Sequence, residues 1–95
     1  MQFDEFEWDE NKRQENLAQH KIDFEDILVI FARPFWSKRS DRHGEERYLA
    51  VGSLDNRYVT VVYTLRHGRC RLISARKARK NEREAYCKAF GRRLS

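Results

Sequence analysis

At 95 residues the chain is long enough for one folded domain with a single core and too short for two. Hydrophobic residues at 40% can build that core while charged residues at 37% solvate its surface, a balance that excludes a disordered chain. No apolar run is long enough to cross a bilayer, and the opening Met1-Gln2-Phe3-Asp4-Glu5 is acidic where a secretory leader is basic, so a cytoplasmic protein without a membrane partner is expected.

The net charge of +5 conceals an asymmetry. Residues 1–56 carry 8 Lys/Arg against 13 Asp/Glu, and residues 57–95 carry 12 against 2. The basic half is a candidate surface for a polyanion; the plainer alternative is that its cations only solvate a helix and a sheet face.

In chain order, Phe3 to Trp8 alternates acidic and aromatic residues, which predicts a short strand with one buried face at a sheet edge. Asp9 reads as the N-cap of a helix over residues 10–20, whose thin apolar face, Leu17 and Ala18, leans on Trp8. A second helix follows: Asp23 and Asp26 fit the cap and third positions, Ile22 and Ile27 fit a hydrophobic staple, and Phe24, Ile27, Leu28 and Phe31 repeat at helical spacing before Pro34. Residues 33–44 read as a basic, aromatic turn. Three strands, 45–54, 57–66 and 69–75, are then separated by Asp55-Asn56 and His67-Gly68, the pattern of an antiparallel meander. In the middle strand Val59, Val61, Tyr63 and Leu65 share one face and Tyr58, Thr60, Val62, Thr64 and Arg66 share the other, more polar face. Asn81 and Glu84 suggest a capping pair for a last helix that carries Tyr86 and Phe90 on one stripe and stops at Gly91. The expected fold is one α+β domain over residues 1–95, in the order β-α-α-β-β-β-α, with a mainly antiparallel sheet and the helices packed on one face. Cys70 and Cys87 have neither CxxC spacing nor secretory context, so no disulfide is expected.

Three blocks of residues carry a family resemblance. The first is Phe6-Glu7-Trp8-Asp9 with Lys12, Asn16-Leu17, His20, Ile22 and Phe24-Glu25. The second is Asp41-Arg42-His43-Gly44-Glu45-Glu46-Arg47 with Gly52. The third is Val61-Val62-Tyr63-Thr64 with Arg66, then Arg71 to Arg76, Ala78, Glu82-Arg83 and Tyr86. Together they resemble the BrnT toxins of bacterial type II toxin–antitoxin systems. The resemblance implies a RelE-like ribonuclease fold and a toxin that cleaves RNA to arrest growth. It also implies a BrnA-like antitoxin with a ribbon-helix-helix domain, in a heterotetramer that binds operator DNA through the antitoxin.

The residues themselves supply candidates for such chemistry. Metal-free RNA cleavage asks for a base at the 2′-hydroxyl, cations at the phosphorane oxygens and an acid at the leaving 5′-oxygen. Arg66 ends the polar face of its strand and Arg76 follows the next one, so across the hairpin both are expected to fork onto one phosphate. His43 stands beside Glu45, Glu46 and Arg47 at the start of a strand, where an imidazole can exchange protons with the sugar or leaving group. Glu46 is either a base or a group that orients His43, and Arg47 a charge stabiliser, although strand alternation sends Glu46 and Arg47 to opposite faces. Tyr86 is either a core residue on the Phe90 stripe or a hydroxyl that reaches the site, and Glu82 either orients Arg76 or decorates a helix N-terminus. Arg69, Arg71, Lys77, Arg79 and Lys80 are candidate RNA contacts, whereas His20 and His67 have structural explanations at a helix end and a turn. No HxxH, HExxH, paired CxxC, GxGxxG or GxxxxGK[ST] motif occurs, so neither a metal nor another cofactor is expected. Two rival readings use the same cations: a nucleic-acid module that leaves RNA intact, and a basic interface for an acidic protein.

Overall fold

The structure, a computed structural model, describes residue 3 and residues 5–91; Asp4, part of the expected first strand, lies outside the described residues. Its elements are β1 (Phe6–Glu7), α1 (Glu10–His20), α2 (Phe24–Phe31), β2 (Trp36–Arg39), β3 (Tyr48–Leu54), β4 (Arg57–Arg66), β5 (Arg69–Lys77) and α3 (Lys80–Phe90). They form one five-stranded sheet in the order β1-β5-β4-β3-β2, antiparallel except where β1 runs parallel to β5. The α+β architecture and the mainly antiparallel sheet follow the sequence reading. Two finer expectations do not.

The first concerns β2. Residues 33–44 were expected to be a turn, yet Trp36 to Arg39 pair with Val51 to Tyr48 as an edge strand. Ser37, Lys38 and Arg39 are exposed, so no alternation of apolar and polar residues marks the segment, and its charges suit an edge that must not recruit another strand. The element order therefore gains a strand. The second concerns the helices. α1 and α2 cover the face that carries Ala50, Val59, Val61 and Ala75, whereas Tyr86 and Cys87 of α3 pack with Val51, Ala78, Trp36 and Tyr58 on the other. The more polar face of β4 thus holds a second apolar patch at one end, and α3 covers only that end.

Local chemistry explains the helix boundaries. Asp9 and Asp23 adopt extended backbone and accept from Asn11 N and Glu25 N, which caps α1 and α2 as expected. Ile22 and Ile27 are both buried, consistent with the staple. α3 is capped differently from its expected Asn81–Glu84 pair: Arg79 is the N-cap, and its backbone N–H donates to the Glu82 carboxylate at 2.8 Å. Gly91 ends α3 with φ 65°. The two-residue turns Asp55-Asn56 and His67-Gly68 have positive φ throughout, the hand that fits tight hairpins.

α1 also closes a gap in the sheet. β1 pairs only with Cys70 and Arg71, which leaves the rest of that β5 edge without a strand. Buried Asn16 fills part of it by accepting from Ala75 N at 2.9 Å and donating to Ile22 O at 2.9 Å. Cys70 and Cys87 are free and belong to the two separate cores, with the sheet between them.

Candidate functional site

The half of the sheet left open by α3 carries the candidate site. Strand register places Arg71 opposite Thr64 and Arg69 opposite Arg66, and parallel pairing sets Glu7 beside Arg71. Arg47, one residue before Tyr48, continues the β3 alternation onto the same face. Thr64 fixes that join, because its hydroxyl donates to Glu46 O. Arg47, just before β3, thus extends the row that Thr64 and Arg71 form across β4 and β5, with Arg66 and Arg69 in the next. No described helix covers them.

The arginines of this face differ in what holds them. Arg71 donates to Glu7 at 2.6 Å, Arg69 to Glu5, and Arg47 to Glu45 at 2.7 Å. Arg66 is exposed and makes no ion pair among the described residues. The Arg47 hydrogen bond holds the Glu45 carboxyl below its ordinary range; Lys12 and Arg66 add to the effect through their charge. Lys12, Glu45, Arg47 and Arg66 therefore share one electrostatic neighbourhood, assembled from α1, the β2–β3 connection and β4.

Alternation separates Glu46 from Arg47, as the sequence reading anticipated. Glu46 pairs with Arg39 at 3.1 Å and accepts from the Tyr48 hydroxyl at 3.5 Å, on the side of the chain that carries Tyr48. Its place beside Arg47 is taken by Glu45, a residue outside the expected site. The clue was available: residues 45 and 47 share strand parity whenever 46 and 47 do not. Thr64, Glu7 and Lys12 were also missed, because their roles depend on cross-strand register and on where α1 docks. His43 occupies a tight turn closed by reciprocal Arg42–Glu45 backbone bonds at 2.9 and 3.0 Å; its φ is 51° and its side chain is exposed.

Arg76 does not join Arg66. It pairs with Thr60, six residues along β4 from Arg66, and at ~3.3 Å per residue the two lie roughly 20 Å apart. They cannot grip one phosphate. Instead Arg76 donates both terminal nitrogens to Glu82, at 2.8 and 2.9 Å, and Thr60 Oγ1 donates to the same carboxylate at 2.9 Å. Burial alone would raise the Glu82 carboxyl, but the bonds from Arg76, the Arg79 N–H and Thr60 outweigh it and bring it down to about 2. Glu82 therefore fills both of its expected roles, holding Arg76 and capping the α3 N-terminus, and ties α3 to the sheet. Tyr86, 3% exposed, packs against Tyr58 and Phe90 under α3, as in its core reading. Lys77, Arg79 and Lys80 sit where β5 passes into α3, at the far end from Arg66.

Among the described residues, no three His, Cys, Asp or Glu side chains converge as a metal-ligand set, and no helix is long and apolar enough to cross a membrane. A groove of about 620 Å³ near Phe31, Phe35, Tyr48 and Tyr63 is walled largely by aromatic rings, and among the described residues no carboxylate or imidazole lines it.

Comparison with known proteins bears on this geometry. The sequence profile of the ribonuclease toxin BrnT of type II toxin–antitoxin systems matches residues 8–82, a span that includes Lys12, the 41–47 connection, Arg66 and Arg71. No curated protein matches the chain. Among solved structures, the crystal structure of the Brucella abortus ribonuclease toxin BrnT is similar, with a TM-score of 0.63 and 28% identity, covering 80% of this chain and 97% of that one. With the profile spanning most of the sequence and the sheet shared with a solved toxin, the chain belongs to the BrnT family of ribonuclease toxins of type II toxin–antitoxin systems.

Proposed function

We propose that the open sheet face is an endoribonuclease site that works without a metal, with Arg47, Arg66 and Arg71 as its cations. The row built by Arg47, Thr64 and Arg71, next to Arg66, which makes no ion pair among the described residues, is the observation that carries this reading. In the reaction the 2′-oxygen attacks phosphorus as a base takes its proton, and the bond from phosphorus to the 5′-oxygen breaks. An acid then protonates that oxygen, leaving a 2′,3′-cyclic phosphate and a 5′-hydroxyl. Planar guanidiniums suit the charge that accumulates on the phosphorane. His43 brings an imidazole, the side-chain type that exchanges protons near neutrality, on the turn adjoining Glu45. Glu45, already bound to Arg47, is better placed to hold that guanidinium than to take a proton. Glu46 stays close enough in sequence to steer the turn through Arg39. Arg69 extends the cationic strip for neighbouring phosphates.

The partner in this reading is a BrnA-like antitoxin with a ribbon-helix-helix domain. It buries the open face, and the resulting heterotetramer binds operator DNA through the antitoxin. Charge complementarity to a face built to hold a polyanion supports that route.

The test is cleavage of RNA by antitoxin-free protein in EDTA, with both new ends mapped. Wild type is expected to cut and to leave a cyclic phosphate. Arg47→Ala is expected to stay folded and lose on the order of 10²-fold in rate. A strict need for added divalent metal would sink the metal-free mechanism, and intact RNA bound at the same face would make the chain a binding module.

A further inference from the structure

A second cationic centre lies at the opposite end of the sheet. A cavity of about 670 Å³ is lined by Lys21 from the α1–α2 turn, Arg57 from the start of β4, Lys77 from the end of β5 and Arg83 from α3, with His20 and Tyr58 in its wall. Among the described residues no carboxylate lines it. Its position contrasts with its chemistry. On the open face Arg47, Arg69 and Arg71 are each matched by an acidic side chain, and Arg76 is matched by Glu82. Lys21, Arg57, Lys77 and Arg83 make no ion pair among the described residues; Lys21 and Arg83 donate only to the backbone carbonyls of Ala18 and Ala78.

Four separate elements therefore converge four cations on one concavity and provide no described counter-charge. Like charges so placed repel one another, a cost that a bound anion removes. Arg57 and Arg66 stand at the two ends of β4, a ten-residue strand, so the cavity lies roughly 30 Å from the proposed scissile site. That is close to the longest dimension of the molecule, 34 Å.

We propose that this cavity is a distal phosphate-binding subsite, which holds the sugar-phosphate backbone of the RNA several nucleotides from the cut. The inference rests on the ribonuclease reading for its ligand, although its geometry is independent of the catalytic face. Contacts to a backbone carry no base information, so the subsite sets affinity and the length of RNA the protein prefers, not sequence. A short RNA engages the open face alone, and a longer one spans both.

Fluorescence anisotropy tests this with two labelled single-stranded RNAs, one of about four nucleotides and one of about sixteen. The protein is compared with Lys21→Gln/Arg57→Gln, two exposed positions whose change leaves the core untouched. The longer RNA is expected to lose on the order of tenfold in affinity. Its plot of log affinity against log salt should become shallower by about 1.4, two phosphate contacts at ~0.7 each. The short RNA should change less than about twofold on the same scale. Equal salt slopes for variant and wild type with the longer RNA would overturn the proposal. So would an unchanged slope together with lost capture of the antitoxin, which would make the cavity a protein contact. The binding readout needs no turnover, so a wild type that binds both RNAs and cuts neither would refute the ribonuclease mechanism while leaving the subsite result readable.

Discussion

Glu82 is a buried carboxylate whose acceptor sites are filled by Arg76, the Arg79 N–H and Thr60. Removing one partner from such a group costs more than the pair contributes, because the remaining charge is left without compensation. The carboxyl falls from 4.5 to about 2 on folding, and the sign of its linkage follows. A depressed folded value gives stability that is fully present above about pH 4.5 and is lost as pH falls toward 2. Glu82→Gln is therefore expected to lower stability at neutral pH by on the order of 3 kcal/mol and to flatten the acid limb between those pH values. Chemical denaturation across a pH series reads both effects; a variant whose midpoint falls with acid as steeply as wild type would show that another group carries the dependence. Arg76→Ala should behave similarly and chiefly cost fold. The sequence could not separate these roles, since a charged fork aimed at phosphate and one aimed at a buried glutamate look alike until the partner is known. Arg47 shows the converse: its residue type and its separation from Glu46 were legible, while its partner Glu45 and its place just before β3 required the structure.

At the scale of elements, α2 approaches β3 closely at Gly52. An added Cβ on Gly52 would overlap the Ile30 side chain, and both residues are buried, so the helix reaches the sheet only because Gly52 has no side chain. Gly52→Ala is expected to cost about 1–3 kcal/mol through overpacking, and adding Ile30→Val should recover part of it. Thermal unfolding of the single and double variants measures the coupling; strictly additive losses would mean that the helix shifts freely and the contact is not the cause. Elements with strong local signals were readable in the sequence: Asp9, Asp23 and Gly91 mark helix ends, and the two turns between β3, β4 and β5 mark hairpins. What escaped were properties set at a distance. β2 has exposed, charged residues and exists because β3 offers it a partner, while α3 chose its face through Val51 and Tyr58, whose apolar contribution was hidden among the polar residues of the same strand faces.

Across the whole molecule, the acidic and basic halves of the chain are not segregated in space. Parallel pairing of β1 with β5 brings Glu5 and Glu7 onto Arg69 and Arg71, so part of the strong positive charge of the C-terminal half is neutralised where it borders the open face. The positive charge of the open face is consequently smaller than the composition suggests. The exposed Glu5–Arg69 pair contributes little to stability, about 0–1 kcal/mol, because solvent screens it, and the half-buried Glu7–Arg71 pair is screened less. Their larger effect is on the field. Glu5→Gln/Glu7→Gln raises the net charge by two and releases two guanidiniums beside Arg66, so RNA should bind more tightly at low salt, with a log–log salt dependence steeper by about 1 to 1.5. The gain should fade toward wild type as ionic strength rises and the Debye length contracts to about 8 Å near physiological salt. Anisotropy titrations over a salt series, alongside thermal unfolding, distinguish the field from the fold. If the variant unfolds earlier without any change in salt dependence, Arg69 and Arg71 are structural partners of β1 alone, and the phosphate track must be confined to Arg47 and Arg66.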